Sequence, residues 1–168
     1  MKKQELVEKL LAEGIAGHRG ADRCFIDFEE LANVQYYDIL AKDLAETFVY
    51  LKEQHPQKLK LMFNMRWASG LARLIKSQLG ISDCAEYVGK EIKNFHPGTD
   101  YAFCSHCLHK GSSLLDANYQ LQEFGSQVVY GLFFFDTQEL QARGIKLPVE
   151  VYATLRNADF SKLQKTLL

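Results

Sequence analysis

The sequence predicts an α+β fold, with N-terminal helices packed on a C-terminal antiparallel sheet of about four strands. Three observations carry that expectation. In the first half of the chain, apolar residues recur at spacings of three and four. From Leu115 to Gln122 they alternate at period two instead. Further on, "QVVYGLFFFDT" and "PVEVYATLR" are β-branched and aromatic runs of strand length. The chain is expected to form one domain over residues 1–168, with 1–97 mainly helical and 98–168 mainly antiparallel sheet with short helices.

Each element has its own signal. Leu6, Leu10 and Leu11 share a side of a first helix over residues 3–13. "GIAGHRGADRC" is rich in glycine and reads as a loop. Asp27 and Glu30 form a capping box that opens a helical region. Tyr37, Leu40, Leu44, Phe48 and Leu51 make the stripe of a long helix that ends before His55-Pro56. Leu61, Met65, Ala68, Ala72, Ile75 and Leu79 predict a second long helix over 58–79, stopped by Gly80. Asp83 and Glu86 open a shorter helix that ends near Phe95. Residues 115–122 read as a half-buried strand, and 127–137 as a central one. Asp136 with Glu139 caps a short helix, residues 148–156 give a last strand, and "DFSKLQKTLL" a closing helix.

Composition narrows the function classes. In 168 residues, 47% are hydrophobic, enough for a real core. The net charge of −1 gives no global preference for nucleic acid or anionic membranes. The longest apolar run, Val128 to Phe135, is too short to span a bilayer. The N-terminal "MKKQELVEKLLAEG" is interrupted by Glu5, Glu8 and Glu13 and reads as an amphipathic helix, not a leader. A cytoplasmic protein with reduced thiols is expected. Arg66, Arg73 and Lys76 form a basic stripe, set against acidic residues of the preceding helix, which predicts pairing within the molecule rather than nucleic-acid binding. The expected partner is a small molecule or a protein, with a homo-oligomer also allowed and no membrane association.

The stretch "YAFCSHCLHKGSSLLDANYQLQEF" holds the densest chemistry. A two-residue turn at Gly111-Ser112 would make it a hairpin. Cys104 and His106 would then face the core, and Cys107 and His109 would join Asp116 and Asn118 on the polar face. Cys107, His109 and Asp116 are thereby candidates for nucleophile, base and orienting group. Cys104, Cys107, His109 and His96 are the candidate zinc ligands, and zinc is the one cofactor the sequence suggests, although no second C-x-x-C is present. On the strand reading, Asp116, Asn118, Gln120 and Gln122 share a polar face rich in amides, which suits ligand recognition.

"FCSHCLHKGSSLLDA" and the earlier "GADRCFIDF" resemble two short pieces of GAF sensor domains. That resemblance implies a sheet that senses a small molecule. Taken together, the sequence predicts a non-enzymatic binding or regulatory domain. Its ligand or partner would lie at the sheet face or the helix–sheet junction. The alternatives are an enzyme using Cys107 and His109, and a small zinc protein using Cys104 and Cys107.

Overall fold

A computed structural model describes residues 1–18 and 23–161. Its elements run α1 (Lys3–Ala12), β1 (Ala16–His18), β2 (Cys24–Ile26), α2 (Phe28–Ala32), α3 (Tyr36–Gln54), β3 (Leu59–Asn64) and α4 (Met65–Leu79). They continue with β4 (Ala85–Val88), β5 (Glu91–Lys93), β6 (Asp100–Leu108), α5 (Ser112–Gln122), β7 (Gln127–Asp136), α6 (Glu139–Ala142) and β8 (Glu150–Arg156). Six strands form one sheet in the order β5-β4-β3-β6-β7-β8. All pairings in it are parallel except β4 with β5. The antiparallel four-strand sheet expected from the sequence is therefore replaced by a six-stranded, mostly parallel one. That sheet also draws strands from both halves of the chain.

Parallel strands need crossovers, and here helices supply them on both faces. Leu71, Ala72 and Ile75 of α4 join Leu40, Leu44 and Phe48 of α3 in one core, against Leu61, Phe63, Cys104 and Leu132. Leu114, Ala117 and Leu121 of α5 form a second core on the other face, with Met62, Phe103 and Phe133. A sheet covered on both faces buries most residues of its central strands whichever face they point to, so those strands lose the period-two signal.

This explains the first misreading. In "LKLMFN" only Lys60 is not fully buried, and it pairs with Asp83. Leu61, Met65 and Ala68 keep helical spacing across a strand–helix junction, so the expected helix over 58–79 is in fact β3 followed by α4. Gly80 does end α4, in the left-handed conformation at φ 62°. The helix expected over 83–95 is a hairpin. Its turn residues Gly89 and Lys90 have φ of 55° and 72°, the signature of a two-residue turn between antiparallel strands.

The third misreading reaches the proposed site. Residues 112–122 form a helix, in which Leu114, Ala117 and Leu121 are buried at helical spacing. Leu115 is 39% exposed and Tyr119 70%, so the period-two pattern marks no buried face. Gly111 precedes the helix at φ 68° and makes no hairpin turn. Asp116, Asn118, Gln120 and Gln122 therefore do not share a sheet face. Asp116 accepts from the Tyr87 hydroxyl at 2.6 Å and from Gln120 Nε2 at 2.9 Å. Gln120 Nε2 also donates to the Lys90 carbonyl at 2.9 Å. Asn118 Oδ1 accepts from the Val128 amide at 2.8 Å, and Gln122 is exposed.

Other expectations hold. α1, α3, β7 and β8 lie where the patterns place them. Asp27 caps α2, its Oδ1 accepting from the amides of Glu29 and Glu30 at 3.0 and 3.1 Å. The expected glycine-rich loop contributes the two short strands β1 and β2. Residues 157–161 are helical, and the rest of the expected closing helix lies outside the described residues. Lys76 pairs with Glu86 of β4 at 3.6 Å, not with α3 as the charge pattern predicts. No helix among the described residues is long and apolar enough to cross a membrane.

Because Asn118 satisfies a backbone amide of β7, Asn118→Ala should lower unfolding free energy by about 1–2 kcal/mol. Gln122→Ala should change it by less than about 0.5 kcal/mol. Urea melts of the two variants test this, and equal stabilities would contradict it.

Candidate functional site

The strand order creates a cleft. From β3 the chain crosses to β4 through α4 on one face; from β6 it crosses to β7 through α5 on the other. The two crossovers leave in opposite directions from adjacent strands, so neither crossover helix fills the space beyond the carboxyl ends of β3 and β6. Such switch points are where open parallel sheets bind ligands. A cleft of about 1100 Å³ lies there.

Its floor is built from the strand ends. Asn64 closes β3 and Ser105 lies near the end of β6, 4% and 3% exposed. Neither side chain has a hydrogen-bond partner among the described residues, and no sealed-off side-chain nitrogen or oxygen lacks one. Both polar groups therefore open on the cleft they line. Nearly complete burial of an amide and a hydroxyl without a protein partner costs free energy that a bound ligand would recover.

His106 completes the floor. Its ring stacks between Phe28, with centroids 4.9 Å apart, and Phe134 at 5.4 Å. Its Nε2 lies 2.7 Å from the Tyr37 hydroxyl. The direction of this hydrogen bond follows the imidazole tautomer, since a neutral ring carries one N–H donor and one acceptor nitrogen. Burial pushes the imidazole down to about 4, so it is neutral at physiological pH.

One wall is the loop from β6 into α5, with Lys110, Gly111, Ser112 and Ser113 lining the cleft. The Leu115 amide makes the first helical bond, to the Gly111 carbonyl at 2.9 Å, so the preceding amides are available. Gly111 takes φ 68°, a conformation that favours glycine, and a Cβ there would also come within 3.1 Å of the Leu147 side chain. The opposite wall is the start of α4, where the Arg66 guanidinium lies 4.8 Å from the ring centre of Trp67. Trp67 is 60% exposed, and residues 25–29 form the roof.

The thiols do not behave as a reactive or ligating set. Cys104 is fully buried, and burial raises its thiol far above the usual range. Burial, with the Asp136 charge, pushes Cys107 up to about 12. His109 pairs with Glu139 at 3.0 Å, and Asp116 is held by Tyr87, so neither is tied to Cys107 as a base or orienting group. His96 pairs with Asp83 at 2.9 Å. Among the described residues, no three His, Cys, Asp or Glu side chains are grouped to hold a metal ion. The segment that the sequence singles out lines this cleft, and Asn64, Ser105, Lys110 and Arg66 supply polar groups there. Asn64 was hidden because β3 reads as helix.

The folded-state value of His106 lies below its ordinary value of 6.5. The unfolded chain binds this proton near 6.5, the folded chain only near 4. Stability from this group is complete above 6.5 and lost as pH falls towards 4. The flanking rings favour the imidazolium and offset part of the effect. Between pH 7 and 4 the parent should lose about 2–3 kcal/mol more than His106→Phe, which keeps the stack. Parallel pH profiles from urea melts would refute this.

No protein-family model matches the chain, and no curated protein matches it in sequence. Solved structures do match in fold. UMP synthase from Leishmania donovani superposes with a TM-score of 0.68 at 13% identity, covering 99% of this chain; this chain spans only 39% of that one. Orotate phosphoribosyltransferase from Aeropyrum pernix gives 0.66 at 16% identity, covering 95% of this chain and 99% of that one. Adenine phosphoribosyltransferase from Rhodothermus marinus gives 0.63 at 15%, covering 90% and 98%. These neighbours are enzymes, which overturns the expectation of a non-enzymatic binding or regulatory domain. The alternatives of a Cys107/His109 enzyme and a zinc protein also fail to match, and the GAF-like segments sit in a different architecture. The chain has a type I phosphoribosyltransferase-like α/β fold.

Proposed function

We propose that the chain is an enzyme of phosphoribosyl chemistry whose cleft holds a phosphorylated ribose. The supporting observation is the floor of the cleft. Two nearly buried polar side chains, Asn64 and Ser105, open without protein partners on a cavity at the sheet's switch point. Hydroxyls and phosphate oxygens are the ligand atoms that such groups satisfy.

The walls suit the same ligand. Available amides at the start of α5, with Lys110 beside them, match a phosphate. Breaking the bond at C1 of a phosphoribosyl donor builds positive charge on the sugar ring and negative charge on the leaving group. Arg66 and Lys110 line the cleft where they stabilise that leaving charge. Neutral His106 lines the cleft with one ring donor and one ring acceptor, one of them engaged with Tyr37, and at about 4 it does not act as an imidazolium acid at neutral pH. The aromatic surfaces of Trp67 on the wall and Phe25 and Phe28 in the roof suit a planar acceptor ring.

The full chain should bind ribose 5-phosphate by isothermal titration calorimetry. It should also release pyrophosphate from phosphoribosyl pyrophosphate with one member of a panel of nucleobases and related heteroaromatic acids. Asn64→Ala and Ser105→Ala should each weaken ribose 5-phosphate binding by about three- to tenfold at unchanged melting temperature. Absence of both binding and turnover would overturn the proposal.

A further inference from the structure

Phosphates, and diphosphates above all, commonly enter protein sites with Mg²⁺, held by one or two protein carboxylates together with the ligand's oxygens. A cleft of that kind needs anionic groups where the phosphates lie. The groups on this floor are Asn64, Ser105, His106 and Cys107, lining the cleft as an amide, a hydroxyl, an imidazole and a thiol. None is anionic at neutral pH, since burial holds the imidazole neutral and the thiol protonated. The charges on the walls are positive. Lys110 is exposed, and Arg66 lies against the Trp67 ring. Neither has a carboxylate partner among the described residues.

Among the described residues two carboxylates line the cleft, Asp27 and Glu29, and both are in the roof. Asp27 Oδ1 already accepts two amides as the cap of α2. Glu29 is exposed. On the floor and walls the donor set thus matches the oxygens of an anion and opposes a divalent cation, which would sit between the Lys110 and Arg66 charges.

We infer that the cleft binds its phosphorylated ligand without a divalent cation, Lys110 and Arg66 supplying the positive charge that a metal ion supplies in carboxylate-floored phosphate sites. This rests on the reading of the cleft as a phosphoribosyl site. It adds that the preferred form of a polyphosphate ligand is the free anion. A protein of this kind would work on the uncomplexed fraction of its ligand.

Calorimetric titration of the full chain with inorganic pyrophosphate and with ribose 5-phosphate, each in EDTA and in excess Mg²⁺, separates the possibilities. Ribose 5-phosphate should bind equally in both buffers. Pyrophosphate should bind about tenfold more tightly in EDTA, because its magnesium complex carries less negative charge towards the Lys110 and Arg66 walls. Lys110→Ala and Arg66→Ala should each lower pyrophosphate affinity in EDTA by about tenfold, with thermal melting unchanged. Tight binding that requires Mg²⁺ and is lost in Asp27→Asn or Glu29→Gln would overturn the inference and leave the phosphoribosyl reading standing. If neither ligand binds in either buffer, both fall together.

Discussion

The parallel pairing of β3 with β6 is the constraint on which the rest of this molecule depends. Five residue pairs, from Leu59 with Asp100 to Phe63 with Cys104, set the register of the two strands. That register brings Asn64 and Ser105 to the same edge of the sheet. Parallel neighbours cannot be joined by a tight turn. The chain must leave β3 and β6 by helices, and in this topology the helices take opposite faces. The cleft is therefore a consequence of connectivity. It exists before any side chain in it has a role, and it fixes which side chains can have one.

The same constraint decides what could be read from the sequence. A helix that covers one face of a sheet keeps its stripe, so α1 and α3 were legible from their leucines. β7 and β8 were legible as well, because runs such as "VVYGLFFF" are too β-branched and aromatic for anything but a buried strand. β3 was not, since burial on both faces removed its alternation and its apolar residues ran on into the stripe of α4. The hairpin of β4 and β5 was signalled by "VGKE", where Gly89 and Lys90 both take positive φ. A capping-box reading of Asp83 and Glu86 competed with it. α5 failed for a different reason. Its exposed face carries Leu115 and Tyr119, so exposure of large apolar residues imitated a period of two.

The site shows a related division. "FCSHCLHKGSS" lines the cleft, since it spans the end of β6 and the entry to α5. Its conspicuous residues are not the polar ligands of the cleft. Cys104 fills the core as a small hydrophobe, and Cys107 is a protonated thiol. The less conspicuous ones matter: Ser105 for its open hydroxyl, Lys110 for its charge and Gly111 for a backbone conformation. Thiols and imidazoles attract a metal or catalytic reading from spacing alone. A serine or a glycine gains meaning only once the strand direction is known, because direction decides whether it lies at the ligand end of the sheet.

His106 ties the floor to the roof. Phe28 belongs to α2, whose geometry is set by the Asp27 cap, and its ring lies on His106 at an interplanar angle of 13°. The far side of His106 rests on Phe134 of β7, and Tyr37 of α3 meets both rings edge-on. One imidazole thus joins a roof element, a helix and two strands of the sheet. Desolvation keeps it neutral. A neutral imidazole carries one donor and one acceptor nitrogen, and Nε2 is the one engaged with the Tyr37 hydroxyl. A charged group here would repel Lys110 and Arg66 if protonated, or compete for them if it were a carboxylate. An uncharged ring at this position leaves Lys110 and Arg66 without a carboxylate partner among the described residues, so the packing that closes the roof also keeps the charge of the two walls positive.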